Sequence, residues 1–316
     1  MYHRSADHKK YNSGVFIRRH KGTPQGSSVS LLLANLANHD LDVKLAASEG
    51  KFVRFADDVV ALCSSYDQAQ RIEECFVAHC RTSGLVLNTK KSPGIAIISD
   101  HSQELRTYPH FDYLGYRISA AGLSMPEKTI QKMKARASRL INLYLIEYLD
   151  AGFRKSRSSI HPKTYDWDLL GLIYELRRSL YGGLSEADLH GFIFDGKKLP
   201  KMKGLMGFYC LLDDSSSLRA LDGWMLSTVR RAMKERDRIL DNKYSVHCPL
   251  PTNKALAVGD WIDLTAWRGE KNPETRMPSF VRGWRAARKH FFTFGLEHVQ
   301  APNYGFYTDV AELFDY

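Results

Sequence analysis

Residues 51–63, KFVRFADDVVALC, place two adjacent aspartates between two short apolar runs. Phe52, Val53 and Phe55 on one side and Val59, Val60, Ala61 and Leu62 on the other read as strands, so the segment should fold back on itself as a hairpin. Asp57 and Asp58 then share its tip. Two carboxylates about 4 Å apart repel by roughly 4 kcal/mol at an effective dielectric near 20, and a bound divalent cation offsets such repulsion. An acidic pair on a hairpin therefore suggests metal-assisted phosphoryl chemistry. The alternative is a plain turn in which aspartates bond nearby backbone amides. Asp213 and Asp214, ahead of Ser215, Ser216 and Ser217, are this chain's own candidate for that use.

The rest of the composition narrows the class of partner. The 316 residues carry a net charge of +10, and a basic balance favours a polyanion. The excess concentrates in residues 126–163, with nine basic residues against three acidic ones. No segment reaches the roughly 20 uncharged apolar residues of a membrane span, and the polar start MYHRSADHKK lacks the apolar core of a secretory signal. The expectation is a cytoplasmic chain without a membrane partner. Five scattered cysteines with no Cys-x-x-Cys pair argue for reduced thiols rather than disulfides or structural zinc, with Cys75, His79 and Cys80 the one cluster at ligand-like spacing.

Along the chain, Ser27 to Ser48 reads as one helix, apolar on most of its circumference and therefore buried, with Gly50 available to end it. After the hairpin, Asp67 to Ser83 has helical spacing in Ala69, Ile72, Cys75, Phe76 and Cys80. Leu85–Asn88, Gly94–Ser99 and Phe111–Ser119, the last broken near Gly115, read as strands. The expected architecture is α+β, an antiparallel sheet with helices on one face, over residues 1–125. Pro126 then opens a helix whose apolar face includes Ile130, Met133, Ala137, Leu140, Ile141, Tyr144 and Tyr148. Lys128, Lys132, Arg136 and Arg139 lie nearly opposite, and that stripe suits either solvent or a phosphate backbone. Helical segments follow near 169–180, 204–212 and 218–240. Residues 241–316 interleave aromatics with Arg282, Arg285, Arg288, Lys289 and His290, a pattern that serves base stacking or the docking of an amphipathic helix equally well.

Ahead of the hairpin stands KGTPQGSSVSLLLANLANHDLD, Lys21 to Asp42. With FVRFADD it resembles the palm of reverse transcriptases, in particular the bacterial group II intron, retron and defence-associated enzymes. Gly22, Pro24, Gln25, Gly26, Ser27, Asn35, Leu41 and Asp42 fall in register with that family. GLVLNTKKS (84–92) and FDYLGYRIS (111–119) resemble its next two motifs in order, so the likeness covers about 100 residues and rests on four ordered motifs. Ser28 and Leu31 stand where relatives often carry prolines.

The resemblance implies a right-hand polymerase palm in residues 1–125, a helical thumb in 126–240 and a helical extension in 241–316. It implies an RNA-directed DNA polymerase that joins deoxynucleotides to a primer 3′ end with Mg²⁺ or Mn²⁺. Asp57 is then the principal metal ligand and Asp58 the supporting one. Lys91 would neutralise or protonate the pyrophosphate leaving group. Pro24, Gln25, Gly26 and Ala56 would border the incoming nucleotide. Tyr113, Leu114 and Gly115, with Lys128, Lys132, Arg136 and Arg139, would hold primer and template. The family also uses a third carboxylate on an earlier strand. Asp7 is the sole acidic residue before Gly22 and sits among residues too polar for a central strand, so an upstream segment or a partner chain should supply that ligand and the fingers. RNA template, DNA primer, dNTPs and a non-coding RNA are the implied partners, and bacterial antiviral defence or a retroelement the implied setting. The competing expectation is a nucleic-acid-binding subunit of such a complex without chemistry of its own.

Overall fold

The computed structural model describes residues 2–4, 16–18, 29–88, 92–101, 106–147, 149, 166–199, 202–265, 267–269 and 271–295. The chain divides into two compact units, residues 1–97 with 101–108, and residues 98–100 with 109–316.

In the first unit a short antiparallel pair, β1 (Tyr2–Arg4) and β2 (Phe16–Arg18), precedes two helices, α1 (Ser30–Ala37) and α2 (His39–Ala46). The hairpin strands β3 (Lys51–Phe55) and β4 (Asp58–Leu62) follow, then the long helix α3 (Tyr66–Ser83). Ser65 caps α3 by accepting from the Gln68 amide at 3.3 Å, and Gly84 ends it. The core here is small. Leu41, Leu45 and Ile72 are buried, and Phe52, Val59, Ala61, Cys63, Cys75 and Phe76 pack against them. Strand alternation explains the selection: Phe52 pairs with Ala61 and Arg54 with Val59, so these four share the face turned towards the helices. Val53, Phe55 and Leu62, on the opposite face, are about half exposed.

The single buried helix expected from Ser27 to Ser48 is instead two helices interrupted at Asn38, and the first of them buries nothing. Asn38 donates from its own side chain to the Ala34 carbonyl at 2.9 Å, a local bond that competes with regular helix geometry. Leu31, Leu32, Leu33 and Leu36 remain exposed, because the small core takes only Leu41 and Leu45 from this segment. The helix stops at Ala46, before Gly50. The strand expected at Leu85–Asn88 is irregular, with Val86 almost fully exposed, since no neighbouring strand pairs with it among the described residues. Nor do the strands join into one sheet. They form separate small sheets, including β5 (Ile97–Ile98) with β6 (Thr107–Tyr108).

The second unit opens with a three-stranded antiparallel meander, β7 (His110–Tyr113), β8 (Tyr116–Ser119) and β9 (Gly122–Ser124). Helix α4 (Glu127–Asn142) then starts at Pro126 and buries Thr129, Met133, Ala137 and Ile141, while Ile130, Leu140 and Tyr144 pack at the edge of that core. A π-helical turn, Leu143–Glu147, extends it. Tyr148 and residues 150–165 lie outside the described side chains. The body is completed by α5 (Trp167–Tyr181), α6 (Glu186–Phe194), α7 (Gly204–Phe208), α8 (Ser216–Tyr244), α9 (Asn253–Val258) and α10 (Phe280–Phe294). One large core runs through these helices.

Helix α10 decides the reading of the aromatic and basic C-terminal pattern in favour of docking. Phe280, Gly283, Ala286, Ala287 and His290 are buried. Arg282 donates to Glu186 at 2.6 Å, Arg288 to the Leu212 carbonyl at 2.6 Å, and Lys289 to the Phe192 carbonyl at 2.8 Å. Three of the four basic side chains thus hold the fold together, and Arg285 stays on the exposed side.

Backbones approach closely between α5 and α7. Gly204 has φ +75°, and a Cβ there would fall 2.7 Å from the Leu180 carbonyl carbon. A Gly204→Ala chain should lose about 2 kcal/mol of stability from the strained φ and the backbone clash together. Thermal denaturation followed by circular dichroism measures this, and an unchanged midpoint contradicts it.

Candidate metal-binding hairpin

The β3–β4 register pairs Phe55 with Asp58 and leaves Ala56 and Asp57 as a two-residue turn. Ala56 has φ +55° and Asp57 does not share that positive φ, the asymmetry of the turn that usually carries glycine at its first position. An alanine held there stores about 1 kcal/mol of backbone strain. The tip is slightly different from the sequence expectation. Asp57 occupies the turn itself, whereas Asp58 is the first residue of β4, and both are exposed. The two residues are thus adjacent in the chain and exposed at the end of the hairpin.

Arg54, two residues ahead of the turn, was not among the residues singled out by motif. Its side chain is only 7 % exposed. Nε donates to Asp42 Oδ1 at 2.7 Å and Nη2 donates to the other oxygen of the same carboxylate. Nη1 donates to Asn35 Oδ1 at 3.0 Å and to the Ala56 carbonyl at 2.9 Å. One guanidinium therefore joins α1, α2 and the acidic turn. The hydrogen bond from Arg54 holds the Asp42 carboxyl below the usual carboxylate range. A signal for Arg54 was present in the strand alternation: it falls on the same face as Phe52, and an inward-facing arginine requires a carboxylate partner.

The structure brings Asp57, Asp58 and Ala56 together on the hairpin, with Asn35 and Asp42 tied to it through Arg54. Pro24, Gln25, Gly26 and Lys91, together with Asp7, lie outside the described residues. In the second unit Leu114 and Gly115 form the β7–β8 turn between the paired Tyr113 and Tyr116, both at positive φ, 46° and 78°. That is the hairpin turn whose twist matches its strands, and leucine is sterically disfavoured in it. Tyr116 anchors the turn from below. Its ring lies 5.7 Å from Phe208 and 5.4 Å from Tyr209, and its hydroxyl donates to the Phe208 carbonyl. Burial pushes that hydroxyl well above its ordinary pKa. On α4, Lys128 and Arg139 are exposed, and Lys132 and Arg136 are half-buried.

Cys75, His79 and Cys80 do not assemble a metal site. His79 shares hydrogen bonds with Asn38 and Ser83, and among the described residues no group of three or more His, Cys, Asp or Glu side chains could hold a metal ion. The five cysteines are free thiols. The second acidic pair is structural: Asp214 accepts from the Ser216 amide at 3.0 Å, and Asp213 from the Leu123 amide at 2.9 Å. Among the described residues no helix is long and apolar enough to cross a membrane.

Residues 5–118 match the family model of reverse transcriptase (RNA-dependent DNA polymerase). The matched stretch contains the acidic hairpin and the turn at Leu114–Gly115, and it supports a reverse transcriptase domain in a mixed α and β chain. No curated protein matches the chain.

Proposed function

We propose that this chain is the palm and thumb portion of a bacterial RNA-directed DNA polymerase that transfers nucleotides to a primer 3′ end. The observation that carries the reading is the exposed Asp57–Asp58 pair on a strained two-residue turn, lying within the stretch that matches the reverse transcriptase family. The donor chemistry fits Mg²⁺, a hard cation bound through one or two carboxylates that keeps several waters for exchange with substrate phosphates. Bound there, it would supply the positive charge that favours a primer oxyanion and a developing pyrophosphate. Asp57 would be the principal ligand and Asp58 the supporting one, and Ala56 offers only a methyl group where a primer terminus has to approach. Pro24, Gln25 and Gly26 would border the nucleotide, and Lys91 would neutralise or protonate the leaving group. Tyr113, Leu114 and Gly115 would support the primer backbone. An upstream segment or a partner chain would complete the metal site and the fingers. Antiphage defence or a retroelement is the setting we infer for it.

A second reading has its own support: the described residues offer two adjacent carboxylates and no third, which suits a subunit that binds nucleic acid without catalysing. Incorporation of labelled dTTP on an oligo(dT)-primed poly(rA) template with Mg²⁺, in the complete assembly, separates the two. Polymerisation supports the leading reading, and tight binding with no incorporation supports the second. Lys128→Ala with Arg139→Ala should lower the slope of log affinity against log salt by about 2, since each lost phosphate contact removes nearly one released counterion. An unaltered slope removes the α4 stripe from the nucleic-acid surface.

A further inference from the structure

We propose that Arg54 is the positioning residue of the acidic turn, fixing the direction in which Asp57 and Asp58 present their carboxylates to a divalent cation. The inference rests on the metal reading of the hairpin and names the device that makes the hairpin competent. Four of the five guanidinium N–H groups are engaged at once: two on Asp42, one on Asn35 and one on the Ala56 carbonyl.

The last of these is the informative contact. The Ala56 carbonyl belongs to the same rigid peptide plane as the Asp57 amide, so holding that oxygen sets the plane from which the Asp57 side chain departs. Ala56 sits at φ +55°, a conformation that a non-glycine residue leaves readily unless its surroundings over-determine it. Arg54 supplies the restraint from a nearly buried position. Asp42 has a separate part. Its bidentate grip satisfies the guanidinium charge on the helix side, which keeps a cation two residues away from turning onto the acidic pair and competing with the metal. Lysine could keep that charge pairing, but one ammonium cannot span Asp42, Asn35 and the turn carbonyl in a fixed plane.

The test is Mn²⁺ binding by the complete assembly, followed through loss of the free-ion electron paramagnetic resonance signal. Arg54→Lys should keep the parent's circular dichroism and bind Mn²⁺ about tenfold more weakly. Asn35→Ala, at an exposed position, should fold as the parent does and bind three- to fivefold more weakly. A purely structural role for Arg54 predicts parental Mn²⁺ affinity in every variant that folds, and that result overturns the inference; if Arg54→Lys does not fold, the Asn35→Ala value decides alone. Asp57→Asn with Asp58→Asn is the control. If that double variant binds Mn²⁺ as the parent does, the metal reading fails and the inference with it. If it loses Mn²⁺ while the Arg54 and Asn35 variants do not, the inference alone fails.

Discussion

Asp57→Asn is expected to slow single-turnover nucleotide incorporation by at least about 10³-fold in the complete assembly, while template-primer affinity stays within about threefold. The size follows from what the substitution removes. An amide keeps the shape of the side chain and one acceptor oxygen, but loses the charge that holds a divalent cation beside the reacting phosphate. Several kcal/mol of transition-state stabilisation depend on that cation, and each 1.36 kcal/mol is a factor of ten in rate. Asp58→Asn should cost less, about 10- to 100-fold. Asp57 stands exposed in the turn, whereas the backbone of Asp58 is fixed by its pairing with Phe55. Both residues are exposed, so neither variant should alter the thermal midpoint. Incorporation by Asp57→Asn at the parental rate would show that the pair has only a structural part, as Asp213 and Asp214 have.

What sequence reveals about this site depends on how local each signal is. The hairpin was legible because its register needs only two alternating runs and a polar gap, and the turn fell between Phe55 and Asp58 as that alternation requires. Helix α3 was equally open to view, because the spacing of Ala69, Ile72, Cys75, Phe76 and Cys80 lies within one short stretch of chain. The helix ahead of the hairpin departs from the sequence expectation for a tertiary reason. Its leucines are apolar all round, and apolar periodicity alone does not say whether a neighbour exists to cover them. Asn38 could be seen in the sequence, and its bond to the Ala34 carbonyl is local, but its partnership with His79 depends on where α3 packs. Leu85–Asn88 has strand composition without a strand to pair with, and β propensity expresses partners more than backbone preference. Arg54 was hidden by the adjacent motif. Its inward position followed from alternation, yet its partners lie 12 and 19 residues earlier, and only folding brings them into reach.

The same non-local logic governs the stability of the second unit, where the largest single effect should come from Arg236. This side chain, in the second half of α8, is fully buried. Its Nη1 donates to both oxygens of Asp166, at 2.9 and 2.7 Å, and Nη2 to Asp168 at 3.0 Å. Asp166 is the cap of α5, accepting also from the Leu169 amide at 3.1 Å, and Asp168 lies in the first turn, where a negative charge suits the positive end of the helix. One arginine thus fixes the start of α5 against α8. Arg236→Met preserves much of the volume but leaves Asp168, 4 % exposed, without that cation. Removing one member of a buried ionic cluster destabilises by about 3–5 kcal/mol, chiefly through the charge left behind. For a unit of this size that corresponds to a fall of roughly 10–15 °C in the thermal midpoint. The origin of the loss can be tested directly. Asp168→Asn placed in the Arg236→Met background should recover about 1–2 kcal/mol, although the same substitution in the parent destabilises. Equal effects of Asp168→Asn in both backgrounds, read from urea unfolding midpoints, would mean that Arg236 acts by filling space and not by answering the two carboxylates.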